Sequence, residues 1–377
     1  MTPTRQLAHL QLIRQSHSYI DAMHAVLVHQ GFFALSKSML AGMTSMGFRF
    51  TVHRRLAAPS TTAYNWLAEH FLAADFIGMT SSQHAGFNFD HAFPLYQKHT
   101  LRAIKESINR GAGVIFWKDA FVIAAGYDDD AQVLLVADGS EEDGELSRLP
   151  YADFGRSGHS PYWYYQLIEN HIALDTLEVY RESLMQAIHY WESHDALLPA
   201  NEYACGEQAY LALIELLEYG EYDTAEAMAV IRTYAAAKQD IAAYTDALGL
   251  IWPGCQPIAV CYGKVSEIFK QLSEALASKI DGVDGGGGGD DTGSGSGGSS
   301  DDALANGGGG GNVSNTGREA GDDAGAEASA GACASFYANR LVSLLREARD
   351  HEQEAITLIK QFMRETVHNR FHDIALR

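Results

Sequence analysis

Val114–Asp138 runs VIFWKDAFVIAAGYDDDAQVLLVAD. Its apolar residues fall into three short runs, Val114–Trp117, Phe121–Ala125 and Val133–Ala137, rich in β-branched and aromatic side chains. Runs of that kind read as strands. Gly126-Tyr127-Asp128-Asp129-Asp130 lies between the second and third, with glycine and aspartate where a chain reversal favours them. Strands apolar on both faces are usually buried on both. The stretch therefore predicts the sheet core of an N-terminal domain.

Outward from this core the pattern turns helical. On the N-terminal side, Leu7–Gln30 reads as one helix or two; Ile20, Met23, Val26 and Leu27 share a face, and Gly31 ends it. Gly42 and Gly47 break Leu35–Phe50 into short pieces. Thr61–Leu72 predicts a short helix, Phe76–Met79 a short strand, and Thr100–Arg110 a helix ended by Gly111. On the C-terminal side, Leu146–Phe154 follows an acidic loop, and Pro161–Tyr165 is a dense aromatic patch. From Thr176 to Lys279 nearly every segment has helical spacing and strong helix formers. Pro257–Lys279 and Phe336–Thr366 are expected to pair as antiparallel helices. Between them, Asp281–Ala332 holds two five-glycine runs, and its many aspartates and glutamates face only Arg318. So little apolar surface predicts a disordered insertion. No Gly-Lys-Ser/Thr follows either glycine run, which argues against a phosphate loop.

The totals bound the function. A chain of 377 residues with 46% hydrophobic content suffices for two domains. A net charge of −21 argues against nucleic-acid binding through phosphate contacts. The tract at 281–332 carries much of that charge, so the folded part is less acidic. The four cysteines form no CxxC pair, and no Cys/His cluster has zinc-site spacing. The N-terminal MTPTRQLAHLQLIRQ lacks the apolar run of a signal peptide, and no long apolar run predicts a membrane span. A reducing, cytoplasmic setting without membrane contact, cofactor or metal is the expectation.

Three groups of residues resemble one family. The first is His17-Ser18-Tyr19, Leu35–Met43 and Met46–Phe50; the second is the Phe121–Asp138 hairpin. The third is Cys205–Tyr210 with Ala348–Ile356. In this order they resemble proteins grouped with the N-terminal domain of butirosin biosynthesis protein H, which are similar in fold to C39-type, papain-like cysteine proteases. The likeness spans nearly the whole chain outside 281–332. It implies an α+β fold: a papain-like domain with a central antiparallel sheet over 1–170, then a helical domain over 171–280 and 333–377. In that family a cysteine at a helix N-terminus attacks an acyl thioester. A histidine at the start of a central strand is the base, and an Asp or Asn on the next strand orients it. The dipole favours the thiolate and the imidazole moves the proton. An acyl- or peptidyl-carrier protein is then the implied partner, and a small molecule or peptide the ligand, in bacterial natural-product biosynthesis.

This chain departs from the pattern where chemistry would occur. Ser18 stands at the nucleophile position after His17, and Ala120 stands at the base position; Asp138 remains at the orienter position. Asp119, beside Ala120, should point to the other face of its strand. Gln11 or Gln15 would be the oxyanion-stabilising amide. A serine without a base is a poor nucleophile. A triad-degenerate binding or accessory protein is therefore the first expectation, and an acyltransferase using Ser18 with His17 as base the second. Plainer roles stand beside these: Ser18 as a helix cap, Asp138 as a strand-end turn residue, Tyr162–Tyr165 as cover for the sheet edge against a ligand wall, and Cys255 and Cys261 as buried thiols against a catalytic or redox pair. A metal site at His17, His24 and His29, or a calcium loop at Asp128–Asp130, lacks the required spacing.

Overall fold

The structure, a computed structural model, describes residues 4–89, 91–140, 145–156, 162–219, 222–284 and 323–373. It is a mixed α and β fold built on an antiparallel sheet. The strands are β1 (Thr4–Gln6), β2 (Thr51–His53), β3 (Met79–Phe87), β4 (Val114–Trp117), β5 (Phe121–Asp128), β6 (Val133–Ala137), β7 (Ser147–Pro150), β8 (Tyr162–His171) and β9 (Tyr203–Cys205). The helices are α1 (Ser18–His29), α2 (Lys37–Met43), α3 (Trp66–Phe76), α4 (Phe93–Asn109), α5 (Thr176–Glu192), α6 (Glu207–Tyr219), α7 (Thr224–Ile251), α8 (Gln256–Asp284) and α9 (Asp323–Asp373).

Seven strands form the main sheet in the order β3-β8-β4-β5-β6-β7, with β1 added beside the far half of β5. Every pairing is antiparallel. Phe121–Tyr127 is buried throughout, as is all of β6, because the sheet is covered on both faces. Tyr19 of α1 meets Phe121 on one side, while Phe116 packs on Phe154 on the other. Gly126 is a strand residue, not the turn the sequence suggests. The β5–β6 register shifts between Ala124 and Gly126, and the Ala125 carbonyl accepts the Leu7 N–H at 2.8 Å. A side chain at Gly126 would lie 2.6 Å from the Arg5 carbonyl, so glycine lets β1 close on the bulge. The reversal itself falls later, at Asp129–Gln132, where the Asp128 carboxylate accepts the backbone N–H groups of Asp130 and Ala131.

Other boundaries also differ from the sequence expectation. The N-terminal helix starts only at Ser18, and Thr4–Gln6 is a strand. The helix expected from Thr61 begins at Trp66, capped by Asn65, whose side chain accepts the Ala68 N–H. The strand expected at Phe76–Met79 instead begins at Met79 and runs to Phe87. Its Ser, Gln and His content hides it, since it is the half-exposed edge of the sheet. Tyr162–Tyr165 opens β8 and pairs with β3. Gly42 lies inside α2, where a side chain would run into the Tyr244 ring of α7.

The helical half packs directly on these elements. β2 pairs with β9, and α2 lies against α7. One buried apolar core runs from Leu7 through the sheet to Met363 of α9. α8 and α9 are antiparallel, since Trp252 at the head of α8 meets Phe362 near the far end of α9. The disorder expected over 281–332 lies, for 285–322, outside the described residues. Its described flanks are helical, as α8 continues to Asp284 and α9 begins at Asp323.

Candidate functional site

The N-terminus of α1 meets the β4–β5 hairpin at the wall of a cleft of about 1240 Å³. His17 is the N-cap of α1 and Ser18 its first residue. The Ser18 hydroxyl does not cap the helix. It accepts the backbone N–H of Phe121 at 3.2 Å, which draws the helix start against the hairpin. Ser18 and Ala120 both line the cleft.

The groups that would move a proton are not brought there. Among the described lining residues there is no histidine. His17 turns the other way. It is buried, its ring meets Tyr234 of α7 edge-on at 5.6 Å, and its Nε2 has no hydrogen-bond partner among the described residues. Burial pushes its pKa down to about 4, with Asp240 pulling up and Arg49, Lys37 and Lys238 pressing down. At neutral pH it is an uncharged ring in the core. Asp138 is buried and engaged: the Ser147 hydroxyl donates at 2.8 Å, the Lys118 ammonium lies at 3.1 Å, and the Ser140 hydroxyl also donates. Burial alone would raise its pKa, but these donors hold the carboxylate well below its usual range. A cleft-lining lysine thus occupies the carboxylate that would orient an imidazole.

The loop before α1 is set by Asp21, whose carboxylate accepts the backbone N–H groups of Gln15 and Ser16 at 2.7 and 3.0 Å. Lys37 bridges Asp21 and Asp240 at 3.4 and 2.9 Å, tying α1 to α7. Gln15 reaches the cleft; Gln11 is exposed elsewhere. Part of the lining is aromatic. Trp66 and Trp117 lie with ring centroids 4.6 Å apart, and Tyr64 and Tyr162 extend the surface. Tyr64 turns its hydroxyl inward to the Nε2 of His70 at 3.0 Å, and His70 Nδ1 meets the Tyr164 hydroxyl at 2.7 Å. Burial holds His70 far below the ordinary imidazole range, so it too stays neutral.

Arg49 fastens two walls together. Its guanidinium lies between the Tyr64 and Tyr190 rings, 4.9 and 4.7 Å from their centroids. It pairs with Glu69 of α3 at 2.7 Å and with Asp195 at 3.4 Å, just before the lining residues Leu197 and Leu198. The residues that sequence reasoning missed are Trp66, Trp117, Lys118, Arg14 and Arg232. Trp117 and Lys118 sat in view beside Ala120; nothing in the spacing foretold Arg232, which arrives from α7.

The other candidates fall apart spatially. Asp128 caps the β5–β6 turn, and Asp129 is engaged by Lys105 and by the Tyr151 hydroxyl at 2.9 Å. Cys205, Cys255 and Cys261 are free and buried. Among the described residues no three His, Cys, Asp or Glu side chains gather as a metal site, and no helix is long and apolar enough to cross a membrane. Compared with known proteins, the chain matches no family model and no curated protein.

Proposed function

We propose that this chain is a triad-degenerate, papain-like relative of carrier-protein-dependent acyltransferases. It acts as a binding or accessory protein in bacterial natural-product biosynthesis, in the cytoplasm. One observation carries the reading: Ser18 and Ala120 share a cleft whose described lining holds no imidazole, and the Ser18 hydroxyl already accepts the Phe121 N–H. A hydroxyl needs a base within hydrogen-bond reach to attack a thioester at neutral pH. The cleft is nevertheless large and aromatic-walled, as a ligand site is. Loss of the chemistry with retention of the cavity favours holding an acyl group or product over transferring it. The free, buried thiols fit a reducing compartment.

The test is incubation with an acyl-loaded carrier protein and candidate amines, followed by intact-mass spectrometry and by calorimetry of carrier binding. Carrier binding without transfer is expected. Transfer by the native chain that disappears in Ser18→Ala would overturn the proposal. The double variant Ser18→Cys, Ala120→His should gain thiol reactivity toward iodoacetamide over Ser18→Cys alone, because an imidazole then lies beside the new thiol.

A further inference from the structure

Charge in the cleft runs against the charge of the chain. Overall the protein carries −21, yet the cleft gathers Arg14 from the loop before α1, Lys118 from the β4–β5 hairpin and Arg232 from α7. Lys118 is matched by Asp138. The lining carboxylate of Asp21 is buried and bound to Lys37 and two backbone N–H groups. Arg14 and Arg232 are exposed, and neither has an ion-pair partner among the described residues. Against them stands Asp119, exposed at the tip of the hairpin. Two guanidinium groups without an ion-pair partner, against one exposed carboxylate, favour an anion in this cleft.

The ring surface lies in the same cleft. Trp66 is fixed by its indole N–H, which donates to the Thr62 carbonyl at 2.8 Å. Trp117 packs on it at 4.6 Å and edge-on to Phe121 at 5.0 Å. The Trp117 indole N–H is buried and has no acceptor among the described residues, although indole is a donor that is usually satisfied when buried.

We infer that the cleft takes an aromatic anion: a flat ring seated on Trp66 and Trp117, carrying one carboxylate or phosphate held by Arg14 and Arg232. This assignment rests on the reading of the cleft as a binding site. It adds what that reading leaves open, the chemical class of the group held.

Four probes separate the terms: phenylacetate, phenyl phosphate, 2-phenylethylamine and acetate, each titrated into the full-length protein by calorimetry and by tryptophan emission. The two aromatic anions are expected to bind about tenfold or more tightly than the aromatic amine or acetate and to quench emission. Whichever of the two binds better identifies carboxylate or phosphate as the anion. The variant Arg14→Gln, Arg232→Gln alters only exposed side chains and should lose about tenfold in affinity for the better anion. Trp117→Leu should weaken the aromatic anions while leaving acetate unchanged. Equal binding of phenylacetate and 2-phenylethylamine, full affinity in the double arginine variant, or no binding by any probe would overturn the inference. None of those results touches the non-catalytic reading, which falls only to Ser18-dependent acyl transfer.

Discussion

The His17 imidazole shows how one buried residue at a helix start shapes the protein. Its ring packs on Tyr234, and its Nε2 has no hydrogen-bond partner among the described residues. With a folded pKa of about 4, it stays neutral in the native state while the unfolded chain protonates it near the usual histidine value of about 6.5. The unfolded state binds more protons between those limits, so stability falls as pH drops from about 6.5 toward 4, by about 3 kcal/mol at most. His17→Phe keeps the ring contact and removes the titrating nitrogen. Urea unfolding at pH 7.5 and 5 should show a smaller pH dependence for the variant; an unchanged slope would show that His17 does not contribute. The sequence singled out His17, Ser18, Ala120 and Asp138, and the structure sets Ser18 and Ala120 on one cleft. It did not reveal that the histidine turns into the core, or that Lys118 takes Asp138. A side chain's direction depends on what packs behind it, here α7, which lies far along the chain.

At the scale of elements, α7 and α9 are joined by a buried ion pair. Lys238 Nζ lies 2.7 Å from both Glu352 oxygens and 4.8 Å from the centre of the Phe50 ring, and the Tyr210 hydroxyl also donates to Glu352. Both side chains are almost wholly buried. Removing one partner strands the other charge away from water. Glu352→Leu or Lys238→Met alone should therefore cost about 3–5 kcal/mol, while the two together should cost much less. Chemical denaturation of the three variants measures this; additive losses would exclude the coupling. Element identity was legible where apolar periodicity was strong, as in β4 to β6, α7 and the α8–α9 pair. It failed where a strand is polar at an exposed edge, as in β3. It also failed where glycine serves close approach instead of a turn, as at Gly42 and Gly126.

Across the whole molecule the buried core is continuous from sheet to helices. Trp163 reports on the sheet, and Trp191 and Trp252 on the helices. With one apolar cluster spanning both parts, far-ultraviolet circular dichroism and tryptophan emission should trace one urea transition with a common midpoint. Two separated midpoints would mean that the sheet and helical parts unfold independently. The sequence marks a change of character near Leu174 but cannot show that β2 and α2, early in the chain, pack onto the later helices.

Arg49 has a mechanical consequence. The cation is gripped by a ring on either side and by carboxylates from α3 and the segment before β9. Neither flank of the cavity can swing outward by itself without tearing a desolvated charge from its aromatic sandwich. On the proposed binding role, a guest would meet an aperture of nearly fixed width, and selection would rest on shape already present before it arrives.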